Sequence, residues 1–148
     1  KASSQSGAVS VGAVQEEVMK AGLLGEMIGI AFQIKDDIFD YFESPELGKP
    51  TGNDMLEGKL TLPALYVLNQ TGDDSLKQTA LNIRSLEASK EEIAAFVETV
   101  KERGGIEYAT RMMYEFRDKA LALVPASADS SLKEALTAYI DYVIERNK

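Results

Sequence analysis

The sequence has no cysteine, no histidine and comparatively little positive charge. Without cysteine there is no disulfide, thiolate metal site or thiol nucleophile, a pattern that fits a reducing compartment. Without histidine, the commonest general base and transition-metal ligand are both missing. Any metal must then be held by oxygen, which favours Mg²⁺, Ca²⁺ or Mn²⁺. Lys and Arg number 16 against 24 Asp and Glu, leaving a net charge of -8. Sequence-independent nucleic-acid binding needs a basic footprint, so nucleic acid is not an expected partner. No apolar run approaches the roughly 18–20 residues of a membrane span, and no stretch reads as a signal peptide. The expected location is cytoplasmic.

What is present suits one domain with a real core, at 148 residues of which 45% are hydrophobic. Residues 1–14, KASSQSGAVSVGAV, are small and begin at Lys1, which predicts a piece of a longer chain. They suit either a tightly packed helix ending near Ser6-Gly7 or a loop. A long helix is expected from about Gln15, with Glu16 and Glu17 at its positive N-terminal end. Residues 43–60 are punctuated by Pro45, Gly48, Pro50, Gly52 and Gly58 and read as a long loop with at most one helical turn. Thr61 reads as the N-cap of LPALYVLN, with Pro63 in the first turn. A further amphipathic helix is expected from Ser75 to about Ser85. Ser89-Lys90-Glu91-Glu92 is a capping-box pattern opening a helix to Arg103, with Ile93, Phe96, Val97 and Val100 inward. Gly104-Gly105 break it, and Ile106 to Val124 follows with Ala109, Met112, Met113, Phe116 and Ala120 inward. After Pro125 the last helix begins at Asp129 or Ser130, with Leu132, Leu136, Tyr139, Ile140 and Val143 on its apolar face. With no strand alternation anywhere, the fold class is all-α.

The stretch that carries chemistry is GLLGEMIGIAFQIKDDIFDYF, from Gly22 to Phe42. At about 100° per residue, Leu23, Met27, Ile30, Ala31, Ile34, Ile38 and Tyr41 share one face, with Ile28, Phe32 and Phe39 beside it. The remaining narrow sector holds Gly22, Gly25, Glu26, Gly29, Gln33, Asp36, Asp37 and Asp40. A helix apolar nearly all round is usually buried, and unpaired buried carboxylates are costly. The cluster Asp36, Asp37 and Asp40 therefore predicts a wet, cation-holding cavity. Three carboxylates this close either stay partly protonated or are neutralised by a hard cation. Mg²⁺ suits them, since it takes one or two carboxylates and completes its shell with water and phosphate oxygens. The glycines either let another helix pack closely or leave room for an apolar substrate chain. Lys49 and Lys59, each directly after a glycine, read either as solvated loop charges or as clamps on a diphosphate, with Asp54 and Glu57 placed to orient the lysines or a metal's waters.

The order F-Q-x-x-D-D-x-x-D, G-K, G-x-D-x-x-E-G-K, T-L-P, running from Phe32 to Pro63, resembles the second aspartate-rich region of the trans-isoprenyl (polyprenyl) diphosphate synthases. The resemblance implies an all-α isoprenoid-synthase bundle, usually a homodimer, that condenses an allylic prenyl diphosphate with isopentenyl diphosphate. It implies that Asp36, Asp37 and Asp40 bind Mg²⁺ and that Lys49 and Lys59 contact the allylic diphosphate. It also implies that Gln33, with Phe32, stands beside the reacting end. The family's first aspartate-rich motif and its arginines are not in this sequence, so residues 1–148 correspond to the C-terminal portion and are expected to be inactive alone. The wording of 47–65 and the ending YVIERNK resemble medium- or long-chain, octaprenyl-type synthases. Other readings are a non-catalytic helical subunit of the same fold, a di-iron bundle and a terpene cyclase. The di-iron reading is disfavoured because such sites use Glu-x-x-His pairs. The lysine pair favours chain elongation over cyclisation.

Overall fold

The computed structural model describes residues 1–42, 51–125 and 128–145, and every regular element among them is a helix. In chain order these are α1 (Ala2–Ser10), α2 (Gln15–Phe39), α3 (Asn53–Leu56), α4 (Leu62–Gln70), α5 (Asp74–Arg84), α6 (Lys90–Glu102), α7 (Gly105–Ala122) and α8 (Ser130–Glu145). None of them is long and apolar enough to cross a membrane. Two units are distinguishable, one of Lys1–Lys35 with Met112–Lys148 and one of Asp36–Arg111, the boundary falling within α2 and α7.

The first unit resolves the open question of residues 1–14. They form a helix that passes Gly7 and reaches Ser10, and Gly12, at φ +73°, turns the chain beyond it. No residue of α1 is fully buried, yet it lies close on α2. A Cβ on Gly22 would fall 2.7 Å from the Gln5 side chain, and one on Gly25 would collide with Ser4. Lys1 also pairs with Glu26 at 2.9 Å. Gly22 and Gly25 are thus packing glycines, and the substrate-space reading fails at both. On α2, Ala31 and Ile34 are buried as the periodicity requires, Val18 is buried although it falls in the glycine sector, and Leu23 is 42% exposed. The helix face is apolar there without anything among the described residues to cover it fully. On α8 the buried line is Ile140 and Ile144, while Leu132 and Tyr139, expected inward, are exposed. The apolar stripe of that helix is broader than the surface it meets. Arg117 of α7 joins α8 through Asp141 at 2.6 Å.

In the second unit α6 packs on α3, α4 and α5. Its buried face, Ile93, Phe96, Val97 and Val100, meets Val67, Leu76, Ala80, Ile83, Met55 and Tyr41 in a single core. The start of α6 is the expected capping box: Ser89 Oγ accepts from the Glu92 N–H at 3.2 Å, and the Ser89 N–H donates to Glu92 at 2.7 Å. Helix α5 starts one residue earlier than expected because Asp73 is its cap, accepting from the Leu76 N–H at 3.1 Å. Asp73 also receives Arg103 at 2.9 Å, and both contacts hold its carboxyl below the usual range. Thr61 sits at the N-cap of α4 as expected, but its side chain makes no capping bond. Gly105, the first residue of α7, is buried against Val100 and the Pro63 carbonyl, which is why the break between α6 and α7 carries a glycine there.

Candidate active site at the end of helix α2

The acids arrive where α2 ends. Asp36 and Asp37 lie in its last turn and Asp40 directly after it, all three partly buried, with Gln33 exposed on the same helix. Tyr41, 1% exposed, anchors this end in the core of the second unit. Its hydroxyl faces Thr61 and the Ala64 backbone, which favour the phenolate slightly. No hydrogen bond of good geometry forms among the described residues, and burial pushes its ionisation above the usual tyrosine range.

The chain then returns to the acids at α3. Asp40 Oδ1 accepts the Asn53 N–H and Oδ2 the Asp54 N–H, each at 3.0 Å, and the Asp40 carbonyl accepts the Gly52 N–H at 2.8 Å. Burial pushes the Asp40 carboxyl up; the two N–H bonds pull it down, and the neighbouring charges of Asp54 and Asp37 push it up further, with a net rise. Gly52 at φ +77° supplies the left-handed turn into α3, and Met55, 2% exposed, pins that short helix to the core.

Lys59 follows directly. Its backbone N–H donates to the Asp54 carbonyl at 2.8 Å, and its Nζ lies 2.6 Å from Glu57 and 4.0 Å from Asp54. The side chain stays mostly exposed, and the Glu57 bond raises its pKa, so it is a cation at any physiological pH. Glu57 thus pairs closely with Lys59, and Asp54 stands at the outer limit of an ion pair. Lys49 lies outside the described residues.

In the first unit, Phe32 is partly buried and lines an open cleft of about 480 Å³ with Ile28, Gly29 and, from α8, Tyr139, Tyr142 and Val143. A Cβ on Gly29 would meet nothing within 4 Å, so this glycine alone fits the reading of open space. The α8 side of the cleft carried no signal in the sequence, since aromatic residues at helical spacing read as core.

No three acids among the described residues converge as a ready-made metal cage. Mg²⁺ does not need one, since one or two carboxylates suffice when substrate phosphates and water complete its octahedron. An all-oxygen donor set at the end of α2, with the Lys59 cation held by α3, fits that kind of binding. What the sequence did not reveal is the tie between Asp40 and residues 52–54. The turn chemistry of Gly52-Asn53-Asp54 marked a turn but not its partner.

Residues 1–100 match the family model for polyprenyl synthetase. The chain belongs to the polyprenyl synthetase family. It is 36% identical over 143 residues to heptaprenyl diphosphate synthase component 2 of Geobacillus stearothermophilus, covering 94% of this chain and 43% of that protein. The crystal structure of a geranylgeranyl pyrophosphate synthase from Bacteroides thetaiotaomicron superposes with a TM-score of 0.90 at 53% identity, over 97% of this chain and 47% of that one. A polyprenyl synthase from Caulobacter crescentus, solved with calcium and isoprenyl diphosphate, superposes with a TM-score of 0.80 at 29% identity, over 97% and 44%. The chain spans less than half the length of these polyprenyl synthetase relatives, and the all-helical fold is theirs.

Proposed function

We propose that this chain is the C-terminal portion of a polyprenyl diphosphate synthase that condenses isopentenyl diphosphate head-to-tail with an allylic prenyl diphosphate. The observation that carries the reading is the junction at the end of α2, where Asp36, Asp37 and Asp40 are followed through α3 by Lys59. In this reading Asp36, Asp37 and Asp40 would hold Mg²⁺, which would supply neutralisation of the allylic diphosphate. Lys59, with Lys49, binds the diphosphate oxygens as point charges. As the allylic C–O bond breaks, its electron pair leaves with the diphosphate, and fixed cations stabilise that charge where water would have to reorganise. The alkene of isopentenyl diphosphate then forms the new C–C bond. No good protein base stands at the site among the described residues, so in this reading the proton goes to the released diphosphate. Gln33 and Phe32 shape the space beside the reacting carbon. The reading carries with it a homodimer, a cytoplasmic location and a medium- or long-chain product of the octaprenyl type.

The test is a condensation assay on the complete native chain with farnesyl and isopentenyl diphosphates, with and without Mg²⁺, alongside Asp36→Ala. A Mg²⁺-dependent ladder of longer prenyl diphosphates, greatly reduced in the variant, is expected, and its top rung gives the product length. A ladder ending at geranylgeranyl diphosphate would correct the octaprenyl assignment. Cyclic hydrocarbons would mean a cyclase, and no product from the folded native protein would mean a non-catalytic subunit.

A further inference from the structure

Asp40 differs from its two neighbours in how its carboxylate is engaged. Both of its oxygens accept backbone N–H groups, from residues thirteen and fourteen positions further on. Its carbonyl accepts the N–H before those, so three consecutive donors, Gly52, Asn53 and Asp54, all end on one residue. These are the orphan donors that a helix start leaves without intrahelical partners. Helix α3 has no cap of its own, because its N-cap position is Gly52 and offers no side chain. A four-residue helix cannot hold itself in water, so what fixes α3 is Met55 in the core and the Asp40 carboxylate at its start. The end of α3 then fixes Lys59, through the Lys59 N–H to the Asp54 carbonyl and the Gly58 N–H to the Met55 carbonyl at 3.0 Å. Asp54, whose N–H Asp40 holds, is thus also the residue whose carbonyl holds Lys59.

We infer that Asp40 is a positioning residue, a two-oxygen cap imposed on α3 from the end of α2, which places the Lys59 ammonium relative to the acids. This rests on the synthase reading for its kinetic consequences but not for the cap itself. A carboxylate committed to two N–H donors has less of its charge left for a cation, which narrows the three-aspartate assignment above: cation binding falls mainly to Asp36 and Asp37. Asn is a poor substitute despite its shape, because one of its two terminal atoms would be an NH₂ facing an N–H donor.

The test uses the complete native chain and the variants Asp40→Ala, Asp40→Asn and Asp36→Ala, each checked for helical content. The first readout needs no substrate or metal: hydrogen exchange of peptides covering residues 51–59. Loss of charge-assisted caps should speed exchange there by about tenfold or more in both Asp40 variants, and Asp36→Ala should leave it unchanged. Unchanged protection in both Asp40 variants overturns the inference, whatever the enzyme does. The second readout is kinetic. Asp40→Ala should raise KM for the allylic diphosphate, and this effect should largely vanish in a Lys59→Ala background. Its apparent Mg²⁺ requirement should move far less than that of Asp36→Ala. Equal loss of Mg²⁺ affinity in the two, with additive effects of Asp40 and Lys59, would make Asp40 a plain metal ligand and overturn the positioning role. If the native protein shows no condensation, the synthase reading fails while the exchange result still decides the cap.

Discussion

Tyr41→Phe should stabilise this protein, against the usual expectation for a change in a core. The ring is 1% exposed and sits among the apolar residues of the second unit, so Phe keeps its contacts. What is removed is a hydroxyl that makes no hydrogen bond of good geometry among the described residues. Burying such a group costs about 1–3 kcal/mol on protein mutational scales. Thr61 and the Ala64 backbone return part of that through weak attraction, so the net gain should be about 0.5–1.5 kcal/mol. Urea denaturation at neutral pH should show a higher midpoint with an unchanged slope. The pH dependence provides an internal control. Unfolded, Tyr41 ionises near its ordinary value of 10.0, whereas burial keeps it neutral in the folded protein to higher pH. Above pH 10 the unfolded state therefore binds fewer protons than the folded one, and stability falls as pH rises. That increment, at most about 1.4 kcal/mol per pH unit, is absent from the Phe protein, so the advantage of Tyr41→Phe should widen in alkali. Loss of about 1 kcal/mol or more at neutral pH would mean that the hydroxyl is satisfied after all, by a bond to Thr61 or Ala64.

Four further outcomes are expected. Gly105→Ala should destabilise by about 1–3 kcal/mol, because its Cβ would lie 2.6 Å from Val100 Cγ1 and 2.8 Å from the Pro63 carbonyl oxygen; Gly29→Ala, in open space, should gain about 0.5–1 kcal/mol, and thermal melts of the pair give the contrast. Ser89→Ala should cost about 1 kcal/mol in denaturant unfolding through loss of the α6 cap. Lys59→Ala should raise KM for the allylic diphosphate roughly tenfold to a hundredfold, with no loss of melting temperature, since Lys59 and its close partner Glu57 are exposed; an unchanged KM would remove Lys59 from the site.

The family signature was legible because its parts lie close together in sequence, and most of the folding units were legible for the same reason. The Ser89 box, the Gly104-Gly105 break and the inward line Ile93, Phe96, Val97 and Val100 are written in residues three and four apart, which is the reach of a helical turn. Errors came where a partner lies far along the chain. Leu23 and Leu132 carry the right period, but period gives a face and not what covers it. Asp73 caps α5 through the Leu76 N–H and also takes Arg103, a partner thirty residues later that local spacing does not show.

From sequence alone came an all-helical chain, a cluster of carboxylates at the end of its longest helix and the lack of any imidazole or thiolate among these residues, because periodicity, caps and composition are local facts. Tertiary structure decided what each of those groups does. Three glycines in line look alike in sequence, yet Gly22 and Gly25 receive α1 while Gly29 faces open space. Three aspartates look alike too, but folding returns the backbone of residues 52–54 to Asp40, both of whose carboxylate oxygens bond to N–H groups. A carboxylate's partner is set by which donors the fold brings within hydrogen-bond reach, and a motif cannot specify a neighbour supplied by a distant part of the chain.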